Sequence, residues 1–325
     1  MRPKATVVLD GFGVLESLRW HDDALWFCDL AHGTVHRWDT VGQPETIVEV
    51  PGRAGGLGFL PDGRMLVVSM EGRCVYRQEP DGSLVVHADL KDIAGGNVND
   101  MFVDKQGRAY VGNFGFDYHA FISEKPNSMI YAPPGVPKAP IACYSPEGEL
   151  IGLSEPMVFP NGLFLTDDGQ TMLVAETLAM RLTAMPVLPD GQLGQPRLWA
   201  PLIDSWLWKA VNNPGPIGHI TRRVSALLDH QAIADRSSSP IAPDGIAPGK
   251  DGTAWVANAL RGECVRVGPG GTILERIATS QRTLSCLVAP GPQGDTLYAA
   301  TIATDHPPRA AQLNASRLEA YVLPS

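Results

Sequence analysis

The chain has no CxxC pair, no G-x-S-x-G elbow, no H-E-x-x-H and no phosphate-binding glycine loop. These absences remove zinc knuckles and dithiol redox sites, the serine-hydrolase nucleophile turn, zincin-type proteases and nucleotide-triphosphate chemistry. Gly55-Gly56-Leu57-Gly58 comes nearest to a dinucleotide motif, but it lacks the spacing and the following helix. No apolar run approaches the ~20 residues of a membrane span, and the opening Met1 to Thr6 is not followed by a signal-type apolar core. A soluble cytoplasmic protein with no membrane partner is the expectation. Lys and Arg are scattered and form no cluster beyond the pair Arg222-Arg223, and a net charge of −9 repels phosphate backbones, so nucleic acid is not an expected partner. The cysteines are five, an odd number. Cys28, Cys74, Cys143 and Cys264 lie inside apolar runs, where a free thiol packs as a small hydrophobe.

What the chain has in abundance is turn formers, with 34 glycines and 28 prolines in 325 residues, alongside 44% hydrophobic residues. Many short elements around a full apolar core are implied. One unit recurs six times: an apolar stretch, a tight polar turn, then a second run rich in Val, Ala, Trp or Tyr. The copies are Glu16 to Leu30, Gly56 to Met70, Asn99 to Phe114, Asn161 to Thr177, Asp244 to Ala259 and Ser285 to Ile302. Each reads as two strands joined by a hairpin. Further short pairs follow, as in Gly72 to Val86 and Cys143 to Leu153, turning at Pro-Asp-Gly or Pro-Glu-Gly.

Four antiparallel strands repeated six times predict an all-β, six-bladed propeller with four-stranded blades, because radial packing hides sheet edges that would otherwise stay unpaired. Residues 1–325 then form one domain. Thr6 to Leu9 and Leu318 to Leu323 are both strand-like and are expected to complete one blade together. Glu16, Asn99, Asn161, Asp244 and Ser285 open the innermost strands of their blades, and alternation of strand direction brings them to one mouth of the central channel. Two insertions, at about 116–140 and 204–243, fall on connections at that mouth and predict a lid. The second is partly helical: within His219 to Asp235, Ile220, Val224, Leu227, Leu228 and Gln231 follow helical spacing. Trp206 and Trp208 are expected in the core of that lid. A shorter loop, Ala303 to Ser316, belongs to the same face.

Hard divalent cations take oxygen ligands, mixing carboxylates with amide carbonyls and water. Glu16, Asn161 and Asp244, with Asn99 beside them, offer such a set from four blades. Asn161-Gly162 and Asp244-Gly245 are also ordinary turn dipeptides, but a turn is not expected at the start of an inner strand.

Glu16-Ser17-Leu18-Arg19-Trp20-His21, Leu25-Trp26-Phe27-Cys28-Asp29, Asn99-Asp100, Asn161-Gly162 and Pro243-Asp244-Gly245, in this order, resemble the signature positions of the senescence marker protein/gluconolactonase family of regucalcin-like lactonases. The resemblance runs from about Leu9 to Val322, with the insertions unmatched. It implies a six-bladed propeller holding one divalent metal ion (Ca²⁺, Zn²⁺, Mg²⁺ or Mn²⁺) and opening a small lactone or ester. By position, Glu16, Asn161 and Asp244 would be the metal ligands and Asn99 a fourth ligand or a substrate contact. An arginine commonly stands two residues before the Asn of blade 3 in sugar-lactone members; here that position is Asn97, so the resemblance does not extend to sugar specificity. Asp244 is the candidate general base or nucleophile, and His119 and His306, in mouth-side loops, are candidates for substrate contact or proton transfer. Alternatives from the same fold are a phosphotriesterase-like or non-hydrolytic enzyme on a natural-product intermediate, and a calcium-binding propeller without turnover.

Overall fold

The computed structural model describes residues 3–124, 130, 135–211, 213, 215–218, 220–221, 240–291, 293–304 and 307–324. After strand β1 (Thr6–Phe12), blade 1 is β2 (Leu15–His21), β3 (Ala24–Asp29), β4 (Thr34–Trp38) and β5 (Glu45–Glu49). Blade 2 is β6 (Ala54–Phe59), β7 (Met65–Ser69), β8 (Cys74–Gln78) and β9 (Leu84–Asp89). Blade 3 is β10 (Val98–Val103), β11 (Ala109–Asn113), β12 (Ala142–Tyr144) and β13 (Leu150–Leu153). Blade 4 is β14 (Pro160–Leu165), β15 (Thr171–Glu176), β16 (Arg181–Pro186) and β17 (Arg197–Pro201). Blade 5 is β18 (Pro243–Pro248), β19 (Ala254–Asn258), β20 (Glu263–Val267) and β21 (Ile273–Ala278). Blade 6 is β22 (Arg282–Gly291), β23 (Gly294–Ile302) and β24 (Ser316–Val322), completed by β1 along the edge of β24. Thr6 pairs with Ala320 and Asp10 with Arg317, so the chain ends close the ring together, as their strand-like character suggested.

The first strands of successive blades touch in the order β2, β6, β10, β14, β18, β22 and back to β2. This is the six-bladed, four-stranded antiparallel propeller expected from the repeat. Burial falls with radius. Strands β7, β11 and β19 are buried at every position, because neighbouring blades cover both faces, which is why they read as unbroken apolar runs. The outermost strands β5 and β9 are largely exposed. The core is accordingly divided among the blade interfaces: Leu15, Phe27, Trp38 and Tyr298 pack between blades 6 and 1, and Trp255, Cys264, Ile277 and Leu297 between blades 5 and 6. All five cysteines are free and buried. Among the described residues no helix is long and apolar enough to cross a membrane.

Near the axis the inner strands come too close for side chains at certain positions. A Cβ on Gly162 would stand 2.5 Å from the Ile246 nitrogen and 2.6 Å from the Asp244 carbonyl oxygen; one on Gly245 would stand 2.7 Å from Ser285 Cα. The glycines of Asn-Gly and Asp-Gly are therefore contact points between blades, not turn residues.

The insertions leave blade ends on the side where the inner strands begin. Helix α1 (Tyr118–Glu124) lies in the connection from β11 to β12, helix α2 (Ser205–Val211) in that from β17 to β18, and helix α3 (Pro307–Leu313) in that from β23 to β24. Most of the helical stripe read in His219 to Asp235 lies outside the described residues. Trp208 is half-buried, whereas Trp206 is 68% exposed, so the expectation of both in a lid core is not met by the described part of this segment.

Gly162→Ala should lower stability by about 1–3 kcal/mol, the usual cost of overpacking, because the atoms it meets belong to the backbone of blade 5 and cannot rotate away. Denaturant unfolding checks this, and an unchanged midpoint would refute the close-contact reading.

Candidate functional site

Each inner strand carries an irregularity in register near its mouth end, where one extra residue is accommodated: between Glu16 and Arg19, Ala54 and Leu57, Val98 and Met101, Pro160 and Leu163, Pro243 and Ile246, and Thr283 and Ser285. Such bulges bend a strand and re-aim its side chains. Asn99, Asn161 and Asp244 are each the first residue of a bulged pair. Glu16 holds the same position in blade 1: it follows Leu15, which lies opposite Asp29 as Val98, Pro160 and Pro243 lie opposite Asn113, Glu176 and Asn258, and the next residue, Ser17, is buried at φ 55°. The register read from the sequence therefore holds in blades 1, 3, 4 and 5.

The bulges gather four of the expected residues. Asn99 Nδ2 donates to Asn161 Oδ1 at 2.8 Å. Asn161 Nδ2 donates to Thr177 Oγ1 at 3.2 Å and also serves the Asp244 carboxylate. Glu16 feels the charges of both Asp244 and Asp100. Burial first, then the Asp100 charge, pushes Asp244 up to about 8, against the opposing pull of the Asn161 amide and Arg282. Burial, and after it Asp244 and Asp100, hold Glu16 well above the usual carboxylate range, while the Ser17 N–H and Arg19 act the other way. Both shifts express one fact, that acidic groups sit together out of water without enough positive charge to match them.

Asp100, the second residue of the Asn99-Asp100 motif, also belongs to this cluster. It is buried, and its Oδ1 accepts from Arg19 Nη2 at 2.9 Å, the Met101 N–H at 2.8 Å and Ser17 Oγ at 3.4 Å. Arg19 comes from blade 1 and Asp100 from blade 3, so the pair spans the inner strand of blade 2. In blade 2 Gly56 packs directly on this part of blade 3, where a Cβ would stand 2.8 Å from the Asp100 carbonyl carbon. One arginine therefore ties two non-adjacent blades across the inner wall of the channel.

A family model described as the SMP-30/Gluconolactonase/LRE-like region matches residues 14–303. The chain belongs to this family. Among solved structures, a luciferin-regenerating enzyme superposes with a TM-score of 0.70 at 16% identity, over 99% of this chain and 95% of its own. A regucalcin from Agrobacterium tumefaciens, described as a calcium-binding protein, gives 0.68 at 16% identity over 99% and 95%. A gluconolactonase from Xanthomonas campestris gives 0.66 at 19% over 98% and 89%. At such identities the likeness is one of fold. No curated protein sequence matches the chain.

The match to the SMP-30/gluconolactonase family takes in Glu16, Asn99, Asp100, Asn161 and Asp244, and stops short of His306. His306 lies outside the described residues. His119 is on helix α1, within the first insertion. Asn97, two residues before Asn99, is buried, and its Oδ1 has no hydrogen-bond partner.

Among the described residues no set of three His, Cys, Asp or Glu side chains is disposed to hold a metal ion. The donor chemistry at the mouth fits a hard cation: Glu16 and Asp244 are crowded carboxylates, and Asn161 Oδ1, accepting one bond from Asn99, keeps a second lone pair.

Arg19→Leu should destabilise the fold by about 3 kcal/mol, the lower end of the range for breaking a buried pair from one side. Arg19→Leu combined with Asp100→Asn should cost less than the sum of the two single changes. Chemical denaturation of all four proteins reads the coupling; strict additivity would show that the pair does not act as a unit.

Proposed function

We infer that the chain is a divalent-metal-dependent hydrolase that opens a small lactone or ester at the channel mouth. One observation carries this reading: Glu16, Asn161 and Asp244, from three blades, meet in a buried, oxygen-rich cluster whose acidic groups crowd one another. A cation there would relieve the repulsion that keeps both carboxyls from ionising. Glu16, Asp244 and Asn161 would hold it, and the chemistry it supplies is polarisation of a carbonyl oxygen and acidification of water.

The chain's own residues supply the rest. Asp244 takes the proton of the attacking water, the role of a positioned carboxylate acting as general base. Asn99, fixed by its bond to Asn161, points its amide to the substrate. Glu16 contributes fixed charge. Arg19 and Asp100 keep the inner strands of blades 1 and 3 in register beneath the cluster. His119, on helix α1, and His306 are the candidate substrate contacts, and the insertions at about 116–140 and 204–243 the candidate lid. The buried acceptor of Asn97, in place of an arginine, directs the preference away from polyol lactones.

A calcium-binding propeller without turnover is the second reading, favoured by the description of the Agrobacterium regucalcin as a calcium-binding protein.

The decisive experiment is a lactone and ester screen, with one organophosphate included, on chelator-stripped protein reloaded with Ca²⁺, Zn²⁺, Mg²⁺ or Mn²⁺. Glu16→Gln should lose bound metal by elemental analysis; undiminished metal content would remove the site. Asp244→Asn keeps a carbonyl oxygen but loses the proton acceptor, so turnover at saturating metal should fall about 10²-fold or more. Normal turnover would take the base away from Asp244. Metal uptake without hydrolysis of any substrate would favour the calcium-binding reading.

A further inference from the structure

The last residue of the second strand is polar and buried in blades 1 to 5: Asp29, Ser69, Asn113, Glu176 and Asn258. These five share one register position, opposite Leu15, Ala54, Val98, Pro160 and Pro243. Their hydrogen bonds divide them into two groups. In blades 2 and 3 the side chain donates to a carbonyl: Ser69 Oγ to Pro51 and Asn113 Nδ2 to Pro140. In blades 1, 4 and 5 it accepts an N–H from the chain just entering the inner strand. Asp29 takes Gly13 N at 2.8 Å and Val14 N at 3.0 Å, Glu176 takes Val158 N at 2.8 Å, and Asn258 takes Ala242 N at 3.2 Å. Blades 1, 4 and 5 are those that carry Glu16, Asn161 and Asp244, two or three residues after the N–H that is held.

Blade 4 has the most developed clamp. Glu176 is fully buried. Its Oε1 accepts from Arg181 Nε at 2.7 Å and from Thr183 Oγ1, and its Oε2 from Arg181 Nη2 at 3.0 Å in addition to Val158 N. Next in the chain is Phe159, at φ 54°, a left-handed backbone that a bulky residue adopts only where its surroundings impose it. From the other side its ring stacks on Phe114 at 4.1 Å and meets Tyr118 of α1 edge-on at 5.3 Å. Pro160 and Asn161 follow directly. The backbone that aims Asn161 is thus held at Val158 by a carboxylate and at Phe159 by an aromatic wall.

We propose that Glu176 is a positioning residue: through the Val158 N–H and the left-handed Phe159 it aims the Asn161 amide at Asn99 and Asp244. The proposal deepens the metal reading of this site and rests on it only for the ion-binding part of the test. Glu176 touches neither substrate nor ion. Outer partners of this kind typically carry 10–100-fold of a site's metal affinity or activity.

Glu176→Gln on the full-length chain tests this, with Asp104→Asn as a matched control. Asp104 is also a buried carboxylate, paired with Arg108 Nε at 2.6 Å, but it closes the first hairpin of blade 3 on the opposite face. A general loss of packing would follow either change. The first readout is the side-chain amide signals of Asn99 and Asn161 in ¹H–¹⁵N spectra of the ion-free protein, assigned with Asn161→Asp. Glu176→Gln should move both signals and Asp104→Asn neither. The second is calorimetric titration with Ca²⁺ and with Mn²⁺, where Glu176→Gln should bind about 10–100-fold more weakly and Asp104→Asn as the unmodified chain does. Folded Glu176→Gln with unmoved amide signals overturns the proposal, whatever its thermal midpoint. Should Glu176→Gln not fold, Phe159→Gly keeps the ion pair and frees the link; it should move the same signals, and their constancy overturns the proposal equally. If the unmodified chain takes up neither ion, the metal reading fails, and the amide signals still decide the role of Glu176.

Discussion

Six inner strands share one narrow circumference, and the lack of room between them governs the rest of the molecule. Where β14 meets β18, and β18 meets β22, backbone approaches backbone so closely that only glycine fits, at Gly162 and Gly245. The residue just before each glycine is an oxygen-bearing one, Asn161 or Asp244. Tight contact and polar function are consecutive because the bulge that lets one residue face the next blade presents its neighbour to the channel. The crowding that seals the ring also concentrates the polar groups.

Concentration has an electrostatic cost. Glu16, Asp100 and Asp244 influence one another away from bulk water, and the protein meets this unevenly. Asp100 is matched by Arg19 and by two further donors. Glu16 and Asp244 are left with partial compensation. A fully satisfied network would be more stable and chemically inert; this one leaves two carboxyls displaced towards their neutral forms at the place open to a ligand.

Much of this was legible in the sequence because it is written periodically. The repeat gave blade number, strand pairing and the mouth-side placement of Glu16, Asn99, Asn161 and Asp244, and the strand-like ends pointed to closure by β1 and β24. The left-handed backbone of Ser17 could not be read, since serine seldom adopts it. Asp100 was passed over because its partner Arg19 is two blades away, a relation no local pattern carries. The clamp residues had a signal that was overlooked: every quoted copy of the unit has a polar residue next to last, in Cys28-Asp29, Val68-Ser69, Gly112-Asn113, Ala175-Glu176, Ala257-Asn258 and Ala300-Thr301. A polar residue ending an otherwise buried apolar strand needs a partner, and asking for it would have led to the incoming links.

Closure by the two chain ends also bears on how the molecule is made. Thr6 Oγ1 donates to the Ala320 carbonyl across 314 residues of sequence, about as non-local a contact as this chain can form. During synthesis the early blades can pair their own neighbouring strands as they emerge, but β1 has nothing to pair with until β24 has left the ribosome. Until then one edge of the nascent sheet system stays open, with the apolar flanks of blades 6 and 1 in water. Pairing between strands so far apart in sequence is intrinsically slow and leaves those edges exposed to aggregation while the ring is open.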